Sequence, residues 1–332
     1  MKYDIYGIGN ALVDIEYEVD SAFLQQHQIE KGLMTLVDEE RQVELIKALD
    51  KHMIKKQSGG SAANTIIAAN QFGADCFYSC KVANDHWGDF YTDDLIGAGV
   101  DTNLTLRPRH SGLTGRCLVM VTKDADRTMN TFLGITTEFS QHELVESALE
   151  NSHWLYIEGY LVANPTSQKT MVAAKRIADK GGVRTALTFS DPNMVKFFRK
   201  GLEEVIGASV DLLFCNEDEA LTYTQANSIG QARESLKQVA KTFVITQGSN
   251  GAMIFDGETF IDIEPYSVDA VDTNGAGDMF AGTFLYGITH GHSYAQAGKL
   301  ASLASSKVVA QFGPRLQWHQ AKEVLNHLFE NL

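Results

Sequence analysis

The chain has 332 residues, a formal net charge of −14 at pH 7 and a hydrophobic fraction of 44%. This length exceeds that of an ordinary single domain and predicts one large domain with an insertion or two unequal lobes. The hydrophobic fraction suffices for a sizeable core. A surface this acidic would repel the phosphate backbone of nucleic acid, so we expect no nucleic-acid partner.

The N-terminal sequence MKYDIYGIGN predicts neither a signal peptide nor a membrane anchor. Asp4 interrupts the apolar run early, and the chain contains no apolar stretch of about 18 residues. The four cysteines, Cys76, Cys80, Cys117 and Cys215, include no C-x-x-C pair. So few cysteines in a long acidic chain are typical of a reducing compartment, and we expect a cytoplasmic protein with no membrane partner.

Short apolar runs alternate with helical patterns along most of the chain. The predicted strands are Tyr3–Ile8, Cys76–Val82, Trp154–Ile157, Thr185–Phe189, Leu212–Cys215 and Phe243–Thr246. The predicted helices are Ala62–Phe72, Gln168–Asp179, Met194–Ile206 and Ile229–Ala240. This alternation predicts an α/β fold with a mostly parallel central sheet and helices on both faces. Beyond it, Ala252–Phe255 and Thr259–Ile263 flank Asp256-Gly257, which is typical of a hairpin.

Two stretches interrupt the alternation, residues 11–38 and residues 113–133. Each contains two strand-like runs, and a polar turn from Asp124 to Asp126 separates those of the second stretch. We expect these strands to form a small β-sheet lid inserted in a single domain of residues 1–332.

The sequence GIGNALVD, residues 7–14, resembles a dinucleotide-binding fingerprint only in part. Leu12 occupies the position of the third glycine, so the pattern argues against NAD binding. Asp14 interrupts an apolar run where the chain leaves the predicted main sheet. A carboxylate at this point can accept hydrogen bonds from two neighbouring hydroxyls of a ligand.

The sequence SGGSAAN, residues 58–64, opens the first long predicted helix. Gly59 and Gly60 permit close approach of a ligand to the backbone, or a hinge. Asn64, one turn into the helix, offers both a donor and an acceptor. An ordinary helix start rich in glycine and serine is the alternative explanation.

Two polar segments follow predicted strands, where ligands gather in parallel sheets. Asn216 and Glu219 in NEDE are spaced to share a helical face and to hold Mg²⁺ through water, although an acidic helix N-terminus is the plainer explanation. Thr246, Gly248 and Gly251 in TQGSNG are suited to contact nucleotide phosphates. No G-x-x-x-x-G-K-[ST] occurs, which excludes a P-loop enzyme.

The sequence DTNGAGD, residues 272–278, precedes an apolar helix. A glycine-rich turn that opens a helix presents unpaired backbone N–H groups to an anion. Asp278 is then either a surface carboxylate stabilised by the helix dipole or a general base beside a transferring phosphoryl group.

In this order, these motifs resemble the ribokinase-like (PfkB) family of sugar and nucleoside kinases. GGSAAN and DTNGAGD resemble its two signatures, and the resemblance spans Gly9 to Gly313. GNALVD, the lid segments, NEDEA and DTNGAGD are most similar to the adenosine kinase branch. The resemblance implies a ribokinase-like fold, and a monomer or a homodimer joined through the lids.

The resemblance implies in-line transfer of the γ-phosphoryl group of ATP to a primary hydroxyl, with Asp278 as the catalytic base. It assigns the anion hole to the backbone N–H groups of Gly275, Ala276 and Gly277. It assigns the binding of the acceptor substrate to Asn10, Asp14, Gly59, Gly60 and Asn64.

The resemblance also implies ATP and Mg²⁺ as cofactors. Asn216 and Glu219 would organise Mg²⁺, and the residues implied to line the ATP site are Thr246, Gly248, Gly251, Ala304 and Lys307. Asp272 and Gly313 fall in regions that hold a monovalent cation such as K⁺ in many members.

We expect a nucleoside acceptor, adenosine first, because a flat base requires apolar walls. The predicted lid offers such walls at Leu12, Leu33, Met34, Leu36, Leu118 and Met120. Tyr160 is placed to stack on a base, and Arg116 either closes over phosphate or faces solvent. A monosaccharide such as ribose or fructose is the alternative acceptor. A binding protein without catalysis is a further alternative, which the presence of Asp278 disfavours.

Overall fold

The computed structural model describes residues 2–49, 53–122 and 127–329. The described residues form two β-sheets and helices on both faces of the larger one. The strands are β1 (Tyr3–Ile8), β2 (Leu12–Glu18), β3 (Met34–Leu36), β4 (Met53–Gly59), β5 (Cys76–Ser79), β6 (Asp101–Thr102), β7 (Thr114–Val121), β8 (Arg127–Gly134), β9 (Ser152–Glu158), β10 (Arg184–Thr188), β11 (Val210–Asn216), β12 (Ala240–Thr246), β13 (Ala252–Phe255) and β14 (Phe260–Ile263).

The helices connect these strands, and several begin at a side-chain cap or a glycine. They are α1 (Ser21–Gln26), α2 (Glu39–Leu49), α3 (Ser61–Phe72), α4 (His86–Gly97), α5 (Glu146–Leu149), α6 (Pro165–Gly181), α7 (Pro192–Ile206), α8 (Glu217–Thr224), α9 (Ile229–Leu236), α10 (Ala276–Thr289), α11 (Tyr294–Val309) and α12 (Trp318–Phe329). Among the described residues, no helix combines the length and apolarity needed to cross a membrane.

The main sheet has nine strands in the order β14-β13-β12-β11-β10-β9-β1-β5-β6. The strands from β12 to β6 run parallel, and β13 and β14 add an antiparallel hairpin. The predicted α/β architecture, with its mostly parallel sheet and hairpin, is therefore confirmed. β5 ends at Ser79 rather than Val82 because the side chain of Asn103 bonds both the N–H and the carbonyl of Cys80.

Each face of the main sheet is covered by its own layer of helices, because successive side chains of a strand point to opposite faces. Ile5 of β1 packs in one cluster with Ile66 of α3 and Phe284 of α10. Tyr6 packs in the other cluster with Leu202 of α7. The first layer holds α3 and α10 side by side, so their N-terminal ends meet at one edge of the sheet.

The small sheet has five strands in the order β3-β8-β7-β2-β4. It contains a strand from each of the four runs expected in residues 11–38 and 113–133, and also β4, which the sequence did not predict. The turn expected from Asp124 to Asp126 lies outside the described residues. One face of this sheet packs on α2 through Leu45 and Leu49, and the other faces the carboxyl ends of the main-sheet strands.

The thiols of Cys76, Cys80, Cys117 and Cys215 are all unpaired and buried. Burial raises the pKa of Cys117 to about 12 and raises the pKa values of the other three thiols as well.

Candidate functional site

Two adjoining cavities lie at the carboxyl ends of the central strands. The outer cavity has a volume of about 390 Å³ and the inner cavity about 140 Å³. Both are lined by Thr246, Gly277 and Phe280, so they adjoin at these residues. Asp278, which follows Gly277 in the chain, lines the inner cavity.

Asp278 lies in the first turn of α10 and lines the inner cavity. The helix begins after Gly275, whose φ of 76° is left-handed and whose hypothetical Cβ would lie 2.3 Å from Pro314. Only glycine fits this turn. Asp278 accepts hydrogen bonds from the Ser61 hydroxyl at 2.6 Å and from the Asn64 amide at 3.3 Å, both on α3.

Burial raises the pKa of Asp278 to about 6, against the opposing effects of Ser61, Asn64 and Arg315. The group is therefore mostly ionised at neutral pH, but it is a stronger base than an ordinary aspartate. An ionised carboxylate in reach of a cavity can accept a proton from a hydroxyl, as a general base must.

The predicted anion hole lies at the start of α10. The Ala276 N–H already donates to the carbonyl of Thr273, at 3.3 Å. The next amide, that of Gly277, belongs to the first turn, where a helix offers no carbonyl to bond. Gly277 lines both cavities and is exposed, which makes its N–H the best placed of the three predicted donors.

Asn216 and Glu219 both line the inner cavity, with Asn216 at the N-cap of α8 and Glu219 in its first turn. Asn216 caps α8 and forms a reciprocal capping box with Glu219. The Glu219 carboxylate accepts from the Asn216 backbone and amide, each at 3.0 Å. Burial raises the pKa of Glu219 to about 7. A carboxylate held this rigidly at a cavity wall can order water around a cation.

Thr246, Gly248 and Gly251, which the sequence predicted to line an ATP site, line the outer cavity. Ala304 and Lys307 do not line this cavity, contrary to expectation. Ala304 is fully buried in an apolar cluster, and Lys307 is exposed outside the cavity lining. Residues of α11 three or four positions apart share a face. The face that lines the cavity carries Ser302, Ser305, Ser306 and Val309.

Asp14 lies in β2 on the face of the small sheet that is turned toward the main sheet. Gly59 of β4 pairs with Leu12, two residues before Asp14, and a Cβ at Gly59 would lie 2.3 Å from the Asp14 carboxylate, so glycine is required there. Burial raises the pKa of Asp14 to about 7, and Arg315 opposes that shift. Gly60 adjoins this position with a positive φ, and its hypothetical Cβ would meet the Asn10 carbonyl.

The strand register determines which lid residues share the face of Asp14. One cross-strand row runs Leu36, Thr131, Cys117, Asp14 and Gln57. Met34 pairs with Met129 in the next row of that face. Neighbours across strands point the same way. Met34 and Leu36 are 49% and 60% exposed, so they offer apolar surface to a ligand, and Leu33 beside them is also exposed.

Arg116, Leu118 and Met120 lie on the opposite face, which corrects the expectation that they contact substrate. Leu118 and Met120 are fully buried in the cluster that includes Leu45 of α2. The Arg116 guanidinium lies 5.7 Å from the ring centroid of Trp87. A shift of one residue in a strand reverses the face, and these residues are one position out of step with Asp14.

The lid arginine that approaches the DTNGAGD loop is Arg127, which the sequence analysis missed. Its guanidinium lies 2.9 Å from the carboxylate of Asp272. Asp272 also accepts from the N–H of Gly313, at 2.9 Å. Asp272 and Gly313 are thus in contact, and the guanidinium of Arg127 places a positive charge beside Asp272. The monovalent cation at this position stays a prediction.

Glu158, at the end of β9, was also not predicted from the sequence as a site residue. It is buried, with an exposed fraction of 1%. Its carboxylate accepts from the Asn10 amide at 2.7 Å and from the Ala62 N–H at the start of α3, at 2.8 Å. Burial raises its pKa to about 7. Glu158 therefore fixes both Asn10 and the GGSAAN segment. A single glutamate after a strand carries no sequence signal for this role.

Tyr160 follows β9 and is partly buried on the main-sheet side of the site. Burial raises its pKa, and the nearby carboxylates of Asp191, Glu158 and Asp278 raise it further. The side chain therefore lies among the acidic groups of the site and remains a neutral phenol at neutral pH.

A family model described as pfkB family carbohydrate kinase matches residues 34–321. Adenosine kinase 2 of Arabidopsis thaliana is 27% identical over 343 residues, covering 94% of this chain and 96% of the relative. Two solved structures each have a TM-score of 0.87 and 33% identity over 97% of this chain. One is a probable sugar kinase from Rhizobium etli CFN 42, covered to 98%, and the other is an adenosine kinase from Sinorhizobium meliloti, covered to 99%.

Proposed function

This chain belongs to the pfkB family of carbohydrate kinases, so it is a kinase with a hydroxyl acceptor, and we propose that it transfers the γ-phosphoryl group of ATP to the primary hydroxyl of a nucleoside, adenosine first. The observation that carries the proposal is the position of Asp278. It lines the inner cavity, in the first turn of a helix and directly after Gly277, which lines both cavities, and its charge acts on Asp14 of the small sheet.

Asp278 accepts the proton of the acceptor hydroxyl as that oxygen attacks phosphorus. Its two oxygens each receive one hydrogen bond, from Ser61 and Asn64, which fixes the carboxylate and leaves lone pairs for the substrate. The backbone N–H of Gly277 stabilises the charge that develops on the transferring group. ATP, as its Mg²⁺ complex, supplies the phosphoryl group, and ADP leaves as the bond between the γ-phosphorus and the β–γ bridging oxygen breaks.

The outer cavity fits a nucleotide. Its volume of about 390 Å³ falls within the range of small-molecule sites. Phe280, Val268 and Val309 provide apolar surface for a base, and the serines of α11 provide hydroxyls. Thr246, at the end of β12, lines both cavities, and Gly248 lines the outer one beside it, where phosphates would pass.

Asn216 and Glu219 fit Mg²⁺ held through its own waters. Mg²⁺ keeps several waters and rarely takes all its ligands from protein. The buried Glu219 carboxylate is committed to Asn216, so it is better suited to order those waters than to replace them.

A nucleoside fits the acceptor side because the face of the small sheet that carries Asp14 also carries exposed apolar side chains. Asp14 can accept from the two ribose hydroxyls, while Met34, Leu36 and Leu12 offer surface to a base. The second candidate is a monosaccharide, favoured by the polar cluster of Asn10, Asn64 and Glu158, which would satisfy the hydroxyls of a small sugar. We also propose a cytoplasmic location, consistent with four unpaired thiols.

The proposal is tested by measuring ATP consumption with adenosine, inosine, guanosine, ribose and fructose as acceptors. We expect the highest kcat/KM with a nucleoside. A tenfold preference for ribose or fructose, worth about 1.4 kcal/mol, would favour the monosaccharide instead. The control is Asp278→Asn, which removes the base and should lower kcat by roughly 10²–10⁴-fold. Near-full turnover of that variant would refute the assigned base.

A further inference from the structure

Arg315 binds three other segments of the chain: α3, α4 and β4. Its Nε donates to the Asn64 side-chain oxygen at 3.1 Å, and one terminal nitrogen lies 3.2 Å from the carboxylate of Asp94 in α4. The other terminal nitrogen donates to the carbonyl of Ser58 and to its hydroxyl, the latter at 3.1 Å. The side chain is 12% exposed, so these bonds are largely shielded from water.

The contact with Asn64 determines the orientation of that amide. A guanidinium only donates hydrogen bonds, so the group that faces Nε must be the amide oxygen. The amide NH₂ then points to the other side, where it donates to Asp278 at 3.3 Å. Reversing the amide would place donor against donor at Arg315 and acceptor against acceptor at Asp278.

We infer that Arg315 is a positioning residue for the phosphoryl-transfer reaction, which acts through Asn64 to hold the Asp278 carboxylate in its proton-accepting geometry. The inference rests on the proposed function, because it assigns Arg315 a part in the activity of that site. Arg315 lies in the segment after α11, well beyond DTNGAGD in the sequence. In space, only the side-chain amide of Asn64 separates its guanidinium from the carboxylate of Asp278.

The charges around Asp278 support the same role. The ionisable groups that interact with it from neighbouring elements are Asp14 of β2, Tyr156 and Glu158 of β9, Tyr160 and Arg315. Arg315 is the cation of this set. Its charge lowers the pKa values of both Asp14 and Asp278, against the burial that raises them. Without it, a carboxylate base would be protonated more easily at neutral pH.

The test is a double-mutant cycle on kcat with Arg315→Met and Asn64→Leu. If Arg315 acts through Asn64, each single change should lower kcat roughly 10- to 100-fold. The double variant should then fall no further than about twofold below the more impaired single variant. Multiplying effects would overturn the inference, since they would mean that the two residues act separately.

The pH profile of kcat/KM separates positioning from a purely structural role. Arg315→Met should move the acidic limb, expected near about pH 6 in the unaltered protein, upward by about one pH unit. Arg315→Lys keeps the charge but not the planar fork, so it should lower kcat while leaving the limb in place. Should the methionine variant fail to fold, the lysine variant replaces it in the cycle.

Asp94→Asn is the matched control, because it weakens another anchor of the same guanidinium outside the site. It should lower the melting temperature and leave the pH profile unchanged. An equal shift of the limb in Asp94→Asn and Arg315→Met would overturn the inference. Failure of the proposed function itself would appear differently, as an Asp278→Asn variant that keeps full turnover.

Discussion

A methyl group at Gly277 would meet no protein atom within 4 Å, because this glycine faces the space that the two cavities share. The protein itself constrains the neighbouring residues of the motif. Gly275 adopts a positive φ, and two hydrogen bonds fix the side chain of Asp278. The absence of a side chain at Gly277 therefore serves whatever enters the site rather than the packing of the chain.

Gly277→Ala should consequently separate stability from activity. Alanine is favoured over glycine in a helix by up to about 1 kcal/mol, so the melting temperature should hold or rise. The methyl group would occupy the path to Asp278, so the KM for ATP should increase at least about tenfold. Steady-state kinetics and thermal unfolding measure the two effects.

The matched control is Gly97→Ala at the end of α4, where an added Cβ also meets no atom within 4 Å. It should match the stability effect and leave the KM for ATP unchanged. Unaltered kinetics in Gly277→Ala would mean that no phosphate passes this residue.

The small sheet divides its residues between two environments by alternation along each strand. On one face, Asp14, Met34 and Leu36 border the site, and on the other, Leu118 and Met120 pack on α2. The first of these faces is the one to which the proposed function assigns the acceptor.

Replacing Met34 and Leu36 together with serine should raise the KM for a nucleoside about tenfold and leave the KM for ribose nearly unchanged. The reason is that a base buries apolar surface against these side chains, worth about 25 cal/mol per Å², whereas a small sugar does not reach them. Leu106→Ser, at an exposed leucine outside the small sheet, is the control. Equal effects on both acceptors would contradict the nucleoside proposal.

The main sheet could be predicted from sequence, because its buried strands are continuous apolar runs between helical patterns. The faces of the small sheet could not. Asp14 and Arg116 are more than a hundred positions apart, and only the register between β2 and β7 places them on opposite faces. β4 was not predicted because its sequence MIKKQSG is mostly polar and has no alternation of apolar and polar residues. In the structure, the first half of this strand is exposed.

The same limit applied to the site. Motifs at a helix start, such as DTNGAGD, carry their own signal, because the glycines and the aspartate act within one turn. Glu158, Arg127 and Arg315 act across the fold from isolated positions. Lone charged residues of this kind are indistinguishable in sequence from solvated ones.

Taken as a whole, the molecule concentrates buried carboxyl groups in one cleft. Burial raises the pKa values of Asp14, Glu158 and Glu219 to about 7 and that of Asp278 to about 6. In the unfolded chain these groups titrate near about pH 4. Between these values the folded state binds more protons than the unfolded state, so its stability falls as the pH rises.

The protein without ligands should therefore have a higher melting temperature at about pH 6 than at about pH 8. The stabilisation is fully present below the unfolded pKa values and is lost as the pH passes the folded ones. Thermal unfolding across this range measures the slope, and Asp14→Asn, which cannot ionise, should reduce it. A melting temperature that is constant or rises with pH would contradict the raised pKa values.

The four buried thiols have a practical consequence for observing the small sheet at work. Because a maleimide reacts with a thiolate, none of the native cysteines should compete for a fluorophore. A cysteine introduced at Met53, which is 54% exposed in β4, would place one dye on the small sheet. A cysteine at Phe197, which is 66% exposed in α7, would place the other dye on a helix that covers the main sheet. Energy transfer between them would then report, molecule by molecule, whether the small sheet changes position when adenosine or ATP is added.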